Sequence, residues 1–354
     1  MKGRRPRPLD DGDYWVRVSV KLGRSKLVKW DDLHMEIINN CTQEVIERAA
    51  KALKDGHLVA FPTETVYGLG ADATNKKSIS KIYSVKGRPV GHPLIVHISS
   101  ISLLDEWAVK IPEYALKLAR KFWPGPMTLI LNRSDLAGDI LTGGQSNIGL
   151  RVPEQPVALA LLKEFEKIGG SGVAAPSANR FGAVSPTTAN AVKDELENFL
   201  SKEDLILDGG QCLIGIESTI IDCTKALPRV LRSGAITNEM VAKVCGLELS
   251  TNTERRIVKA PGVLESHYSP KAKVMLGSMA KSGEGFIAMS DIPTPNGAIR
   301  LSSPTTIQEY ARDLYAALRL SDEKNLKIVV VLLPQGEGLA VAIRDRATKA
   351  SAGK

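Results

Sequence analysis

Hydroxyl and carboxylate side chains follow an apolar segment in the stretch FPTETVYGLG, residues 61–70. The preceding HLVAF is typical of a short buried strand. Two threonines, a glutamate and two glycines come next, which indicates either an ordinary turn or the wall of a ligand pocket. Open α/β sheets place binding sites at the carboxyl ends of their strands. We therefore expect a polar binding site beside the end of this strand.

Two cations lie in a glycine–proline turn within SVKGRPVGHPLIVHI, residues 84–98. Lys86 and Arg88 in that turn could clamp an anion, although a solvated basic turn is the simpler interpretation of this fragment alone. His92 and His97 follow closely. His97 ends an apolar strand, so it is either a functional residue or a satisfied core histidine.

Two more segments carry polar residues beside apolar strands. Ser177 and Asn179 follow a buried strand and precede a helix capped near Thr187, whose free N–H groups favour an anion. Local turn formation would explain the same residues. Ser218 enters a strand after flexible glycines. The residues of all these segments together predict a cleft that binds a phosphate-bearing ligand.

Two arginines project from apolar strands, Arg151 in GLRVP and Arg232 in RVLRSG. A buried arginine needs a carboxylate or a ligand phosphate as its partner. No Walker loop, kinase signature or acidic cluster spaced as a metal cage is present in the sequence. Any Mg²⁺ is therefore expected to be carried by substrate phosphates and water.

Helices and strands intermix, which predicts an α/β fold with a mixed twisted sheet. Residues 255–270 contain two prolines and a glycine and are typical of a linker. A small Rossmann-like α/β domain is expected after it, without a dinucleotide fingerprint. Helices are expected over 42–55, 75–85, 112–122, 156–167, 187–200, 305–320 and 338–351. Strands are expected over 57–61, 93–98, 127–131, 148–152, 172–176, 205–210, 218–223, 229–234, 273–277, 285–290, 298–302 and 327–334.

The amino-acid composition limits the classes of protein to which the chain could belong. The chain has 354 residues, of which 43% are hydrophobic and 24% charged, as in ordinary globular proteins of two domains. No apolar run reaches transmembrane length, and no signal peptide is evident. The four cysteines form no CxxC pair, which favours core thiols and a cytoplasmic location.

The formal net charge of +8 belongs mostly to the start of the chain. Residues 1–30 hold nine Lys or Arg and three Asp, a balance of +6, and the rest of the chain is near neutral. Residues 1–36 are expected to form a basic extension with little core-forming pattern. The extension could contact RNA weakly, be disordered, or not be translated, with Met35 as the true start. A dispensable extension is the favoured interpretation.

Six motifs occur in order between residues 40 and 245: FPTETVYGLGADA, KGRPVGHPLIVHI, WPGPMTLIL, APSAN, GIESTIID and VLRSG. Together they resemble the threonylcarbamoyl-AMP synthases, the YrdC-like family. The later SHYSP and GLAVAIRDR segments resemble the long, two-domain form of that family. The resemblance implies a YrdC-like domain over 37–250, a linker over 251–270 that acts as an active-site lid, and a Rossmann-like domain over 271–354.

The same resemblance implies an activity and its partners. The family makes threonylcarbamoyl-adenylate from L-threonine, bicarbonate and ATP and releases pyrophosphate, with Mg²⁺ held by the ATP phosphates. A tRNA threonylcarbamoyl transferase complex then uses the product to modify the adenosine beside the anticodon. No membrane partner is expected.

The resemblance also implies roles for particular residues. The family's catalytic motifs match Lys86, Arg88, Ser177 and Asn179. Threonine contacts match Thr65, His97, Arg151, Ser177 and Ser218. ATP contacts match Arg88, His92, Asn147, Asn179, Thr187, Arg232 and the linker residue Tyr268. No metal-ligating residue is implied.

Two other functions fit parts of the sequence. An RNA-binding module with a concave basic surface fits the overall charge, but the matched region is nearly neutral and lacks stacking aromatics. A carbamoyl transferase acting on another acceptor is suggested by YrdC-like domains in hydrogenase-maturation proteins. Those proteins carry zinc-finger and acylphosphatase-like segments, which this sequence lacks.

Overall fold

The computed structural model describes residues 37–250, 268–277 and 279–353, together with the backbone of two strands in the N-terminal extension. These strands, β1 (Trp15–Val20) and β2 (Arg24–Lys29), pair antiparallel. Both strands lie within the expected basic extension, residues 1–36. Its other residues lie outside the described residues, as does most of the expected lid, residues 251–267.

Strands and helices intermix over residues 37–250, as the sequence predicts. In chain order they are β3 (Ile37–Ile38), α1 (Gln43–Lys54), β4 (Val59–Phe61), β5 (Gly68–Asp72), α2 (Lys76–Lys86), β6 (Ile95–His97), a 3₁₀ turn (Ile101–Leu103), α3 (Leu104–Trp107), β7 (Ala108–Val109), α4 (Glu113–Phe122), β8 (Met127–Arg133), α5 (Asp139–Thr142), β9 (Asn147–Arg151), α6 (Pro156–Lys167), β10 (Val173–Ala174), α7 (Ala189–Leu196), β11 (Leu205–Leu207), β12 (Thr219–Asp222), β13 (Arg229–Arg232) and α8 (Asn238–Cys245).

Within residues 37–250, eleven strands form one mixed sheet in the order β13-β12-β8-β9-β6-β10-β5-β4-β11-β3, with β7 paired to β8. Strands β4 and β5, β8 and β9, and β12 and β13 are antiparallel neighbours. Strand β11 is parallel to both β3 and β4. The mixed sheet expected from the sequence is confirmed.

Both faces of this sheet are covered, which explains why HLVAF reads as a continuous apolar run. Successive side chains of a strand point to opposite faces. Leu58 and Ala60 accordingly join the larger apolar cluster, with helices α2 and α4. Val59 and Phe61 join a second cluster on the other face, with helices α1 and α6. The end of β4 is therefore held rigidly between two helical layers.

Strand β5 was not predicted, because its sequence GLGAD begins with two alternating glycines. Glycine weakens a strand pattern and marks close approach of neighbouring groups. A Cβ at Gly70 would lie 2.8 Å from side-chain atoms of both Phe61 and Val173. Small residues are therefore required where β5 passes these neighbours. This tight packing explains why the sequence of β5 lacks the pattern typical of a strand.

The chain after residue 270 forms a separate α/β unit, as expected. Its elements are β14 (Lys273–Leu276), β15 (Gly285–Ile287), β16 (Ile299–Ser302), α9 (Ile307–Glu323), β17 (Ile328–Val331) and α10 (Leu339–Ser351). The four strands are parallel, in the order β14-β17-β15-β16. Thr306 caps α9 by accepting a hydrogen bond from the Glu309 amide at 3.1 Å. We refer to this unit as the C-terminal domain.

The C-terminal domain packs directly on the loop that precedes β12. Gly215 has a φ of 79°, and a Cβ there would lie 2.4 Å from the Cα of Arg312 on helix α9. The backbones of the loop and the helix are therefore in close contact, which only glycine permits. Among the described residues, no helix combines the length and the apolar character needed to cross a bilayer.

Candidate active site

A cavity opens among the strand ends and loops of the large sheet. Its wall includes the loop after β4, the end of α2, strand β6, the ends of β9 and β13, and the segments after β10 and before β12. It is lined by Thr63, Thr65, Val66, Gly68, Lys86, Arg88, Ile95, His97, Arg151, Ala175, Pro176, Ser177, Asn179, Phe181, Glu217, Ser218, Arg232 and Tyr268. The sequence-predicted site residues other than His92, Asn147 and Thr187 are in this set.

Four cations line the cavity, and all four are buried: Lys86, Arg88, Arg151 and Arg232. Burial lowers the pKa of Lys86 well below its ordinary value, and the neighbouring charge of Arg88 lowers it further. Burial also lowers the pKa of Arg88 to about 10. Concentrated positive charge in a poorly solvated cavity is unfavourable unless an anion joins it. The cavity is therefore suited to an anionic ligand.

Lys86 is the last residue of α2, rather than part of the following turn. Gly87 ends the helix in the left-handed conformation, with φ of 59°. The Lys86 ammonium donates hydrogen bonds to the carbonyl of Ser177, at 2.5 Å, and to the carbonyl of Asn179. The sequence segments KGRP and PSAN, which are far apart in the chain, are thereby joined at one point of the cavity wall.

Asn179 is fixed by its own amide group. Its Nδ2 donates to the carbonyl of Arg180 at 2.8 Å and to that of Ala183 at 2.7 Å. Ser177 forms an isolated antiparallel bridge with Gly68, at the start of β5. The loop carrying Ser177 and Asn179 is therefore attached both to the sheet and to itself, so the two side chains have defined positions.

Hydroxyl groups also line the cavity. The Oγ1 atoms of Thr63 and Thr65 are 2.8 Å apart, and Thr63 also donates to the carbonyl of Val66 at 2.6 Å. Ser218 Oγ lies 2.8 Å from Thr128 Oγ1. Thr63 was not among the sequence-predicted site residues, although its place in the same FPTET motif gives a signal for it.

Arg232 and Arg151 are each held by a defined partner. Arg232 Nε and Nη2 donate to the Ser218 carbonyl at 3.0 and 2.9 Å. Arg151 Nη2 donates to Glu64 Oε1 at 2.6 Å, and the two side chains are 5% and 4% exposed. Glu64 is thus the carboxylate partner that a buried arginine requires, and the sequence contained it in the same motif as Thr65.

Four buried polar atoms of the cavity residues have no hydrogen-bond partner within the described part of the chain. They are Arg88 Nε, His97 Nδ1, Arg151 Nε and Asn179 Oδ1. Buried polar atoms are nearly always paired in folded proteins. Their concentration around one cavity indicates that a polar ligand completes the site.

His97 is buried beside Arg151. Burial, assisted by the positive charge of Arg151, lowers the pKa of His97 to about 3. The imidazole is therefore neutral at physiological pH. Its ring lies edge-on to Phe61, with centroids 6.1 Å apart.

The depressed pKa of His97 predicts a pH-dependent stability. The unfolded chain binds a proton at this histidine below its ordinary pKa of about 6.5, whereas the folded chain does so only near 3. The free energy of unfolding should therefore fall as the pH decreases from about 6.5 towards 3. His97→Gln should make this decrease shallower. Urea unfolding at pH 7 and pH 5 measures the effect, and equal pH dependence in both proteins would contradict it.

Three sequence-predicted residues lie away from the cavity wall. Asn147 begins β9 and pairs with Asn132, so it is separated from Arg151 by the length of the strand, roughly 13 Å. Thr187 is buried and faces a different cleft, beside α9. His92 is connected indirectly, since its ring lies 5.6 Å from that of Phe181, a cavity residue that the sequence did not single out.

Comparison with known proteins identifies the chain's relatives. The family model described as "Telomere recombination" matches residues 51–234, and that of the threonylcarbamoyl-AMP synthase C-terminal domain matches residues 236–352. The threonylcarbamoyl-AMP synthase of Pyrococcus abyssi is 37% identical over 340 residues, which cover 90% of this chain and 98% of that protein. The chain belongs to the threonylcarbamoyl-AMP synthase family.

Other threonylcarbamoyl-AMP synthases and solved structures agree. The Bacillus subtilis threonylcarbamoyl-AMP synthase is 36% identical over 346 residues, 91% of this chain and 97% of that protein. The crystal structure of P. abyssi Sua5 complexed with L-threonine superposes with a TM-score of 0.79 at 34% identity, covering 90% of this chain and 97% of that one. The resemblance inferred from the six motifs and the two-domain α/β fold are both confirmed. The chain is an enzyme of the nucleotidyl-transfer type.

Proposed function

We propose that this enzyme forms threonylcarbamoyl-adenylate from L-threonine, bicarbonate and ATP, with release of pyrophosphate. The observation that carries the proposal is the convergence of four buried cations and several hydroxyls on one cavity, in a member of this family. The cations suit the phosphates of ATP, and the hydroxyls suit a small polar amino acid. The P. abyssi relative has been crystallised with L-threonine.

The threonine subsite is assigned to Thr65, His97, Arg151, Ser177 and Ser218. Arg151 keeps one buried N–H, at Nε, without a partner among the described residues, and a substrate carboxylate could accept from it. Neutral His97 offers a hydrogen bond without adding charge. The hydroxyls of Thr65 and Ser218 supply partners for the threonine side chain and discriminate against an analogue that lacks its hydroxyl.

The ATP subsite is assigned to Arg88, Asn179, Arg232 and Tyr268 on the wall, with His92 behind Phe181. Lys86 and Arg88 line the same cavity, and we assign them to the phosphates, on which negative charge would develop. Asn147 and Thr187 do not line the cavity, and their contacts with ATP stay predictions. Fixed cations in a poorly solvated site stabilise such charge more strongly than water does.

The proposed reaction has two bond-forming steps. The threonine amine adds to the carbon of bicarbonate-derived CO₂ and loses a proton, which gives a carbamate. A carbamate oxygen then attacks the α-phosphorus of ATP, the bond to the bridging oxygen breaks, and pyrophosphate leaves with the electron pair. Positioning the two substrates in line supplies much of the rate enhancement. Because the product hydrolyses readily, the cavity must also exclude water.

Magnesium is proposed to arrive with the ATP phosphates. Hard cations such as Mg²⁺ prefer carboxylate and phosphate oxygens. The carboxylates at and behind this wall, Glu217 and Glu64, are each in a buried ion pair with an arginine. Among the described residues, no group of three or more His, Cys, Asp or Glu is placed to hold a metal ion. Glu217 and Glu64, each already paired with an arginine, are therefore not assigned as magnesium ligands.

The adenylate is proposed to pass to a tRNA threonylcarbamoyl transferase complex, which modifies the adenosine beside the anticodon. We propose a cytoplasmic location, where that complex would meet its tRNA substrates. The four cysteines are free thiols in the described structure, in keeping with a reducing compartment.

The proposal predicts pyrophosphate release that needs all three substrates together. Purified protein with L-threonine, bicarbonate, ATP and Mg²⁺ should release pyrophosphate, and omission of any one substrate should remove the signal. Lys86→Met should reduce the rate by at least about 10²-fold, because a cation beside the transferred group is lost. A coupled phosphate assay measures the rate, and circular dichroism checks folding. No release by the folded wild-type protein would refute the proposal.

A further inference from the structure

A buried ionic cluster joins the C-terminal domain to the back of the cavity. Arg346 of α10 donates from Nε to Glu217 Oε2 at 2.8 Å. Tyr315 of α9 donates from its hydroxyl to the same oxygen at 2.9 Å, and Ser185 donates to Glu217 Oε1 at 2.7 Å. The Arg346 side chain is fully buried, and that of Glu217 is 8% exposed. Glu217 lines the cavity, whereas Arg346 and Tyr315 lie behind it.

Arg346 also connects the two chain segments that carry cavity residues Ser218 and Arg232. Its Nη2 donates to the carbonyl of Ser233 at 2.9 Å. Ser233 directly follows Arg232, and Glu217 directly precedes Ser218. One guanidinium of the C-terminal domain thereby fixes the start of β12 relative to the end of β13.

The same two C-terminal side chains support Tyr268. The rings of Tyr268 and Tyr315 are stacked, with centroids 5.5 Å apart and planes inclined by 28°. The Arg346 guanidinium carbon lies 5.6 Å from the centre of the Tyr268 ring. Tyr268 has a φ of 64°, a conformation that is unfavourable for a non-glycine residue and persists only where the surroundings impose it.

The electrostatics give Arg346 a second effect. Burial alone would raise the pKa of Glu217, but the charges of Arg346 and Arg232 lower it to about 2, so the carboxylate is ionised at neutral pH. Without Arg346, this buried carboxylate would have Arg232 as its remaining cationic neighbour. An ion pair between them would compete with a substrate anion for Arg232. Arg346 therefore supplies the larger part of the positive charge that balances Glu217.

We propose that Arg346 and Tyr315 are positioning residues for adenylate formation, through which the C-terminal domain completes the active site. They hold the Glu217 carboxylate through its Oε2 atom and fix the placement of Ser218, Arg232 and Tyr268. This inference rests on the function proposed above. The close approach of Gly215 to α9 supports it, because it holds the loop preceding Glu217 against the same domain.

The test compares steady-state kinetics of four folded proteins. Arg346→Met should lower kcat/KM for ATP about 10²-fold, because small displacements of reacting groups have effects of that size. Most of the loss should be in KM, since Arg232 is diverted from the phosphates. Adding Glu217→Gln to Arg346→Met should restore part of the ATP affinity, because the competing carboxylate is removed. Arg344→Met, on the same helix, should stay within about twofold of wild type.

Two milder variants keep the inference testable if Arg346→Met does not fold. Tyr315→Phe removes only the hydroxyl bond to Glu217 and should raise KM for ATP several-fold, while Arg346→Lys should fall between Arg346→Met and wild type. Calorimetric titration with a non-hydrolysable ATP analogue gives a readout independent of turnover. Unchanged kcat/KM and ATP affinity in the folded variants would overturn the inference. Failure of the wild-type protein to release pyrophosphate would instead refute the proposed function.

Discussion

Replacing Arg88 by alanine is expected to slow pyrophosphate release about 10²–10³-fold, the usual effect of removing one group that stabilises transition-state charge. Arg88 is 7% exposed and donates from Nη2 to the carbonyl of Pro93 at 3.1 Å, which fixes its position. Its Nε has no hydrogen-bond partner among the described residues. The fall should be mainly in kcat, because the charge that Arg88 stabilises increases during phosphoryl transfer.

Two controls isolate the role of Arg88. Arg88→Lys keeps a positive charge but loses the planar fork, so we expect only partial activity. Arg120→Ala removes an exposed arginine in the last turn of α4 and should leave the rate unchanged. Rates are measured at saturating threonine and bicarbonate, with thermal denaturation as the check on folding. A folded Arg88→Ala protein with full activity would exclude Arg88 from the reaction.

The second large effect is expected at the buried pair Arg151–Glu64. Arg151→Ala leaves the Glu64 carboxylate buried without its partner at 2.6 Å, which typically costs about 3–5 kcal/mol of stability. Urea unfolding at pH 7 measures that loss. The same substitution should abolish L-threonine binding in calorimetry, because the group assigned to the substrate carboxylate is removed.

A double variant separates these two roles. Arg151→Met combined with Glu64→Gln removes both charges but keeps an acceptor for the Glu154 amide, which donates to Glu64 Oε2 at 3.0 Å. Much of the lost stability should return, because a buried ion pair can be replaced by uncharged groups at little cost. Threonine affinity should not return. If the double variant binds threonine as wild type does, Arg151 is structural only.

The fold was predictable where local signals are strong. Helix α6 begins at Pro156 and ends at Lys167, as its proline start and apolar spacing predict. Helix α8 was missed, although Thr237 caps it and Gly246 ends it, because only two of its residues, Val241 and Cys245, are buried and its apolar pattern is weak. Strand β5 was missed for a different reason. Its tight packing requires glycines, and glycines remove the pattern by which strands are recognised.

The site was predictable where its residues lie in compact motifs. Lys86 and Arg88 share one motif, Ser177 and Asn179 another, and the structure brings both motifs to one wall. Arg346 could not be found in this way. Its surroundings in the sequence, RDRATK, indicate a solvated helix, and only the packing of two domains makes its side chain fully buried. When two residues contact each other across a domain boundary, as Arg346 and Glu217 do, neither of their sequence segments carries a local pattern that indicates the contact.

The position of β11 has a consequence for biosynthesis. This strand lies between β3 and β4 in the sheet, with Leu205 opposite Val59 and Ile206 opposite Ile37, although most of the domain separates it from both in the chain. At translation rates of about 5–20 residues per second, the nascent chain must wait on the order of ten seconds for the missing strand. During that interval the unpaired apolar edge of β4 can pair with a wrong strand. We therefore expect this edge to be the first part of the newly made chain that needs a chaperone.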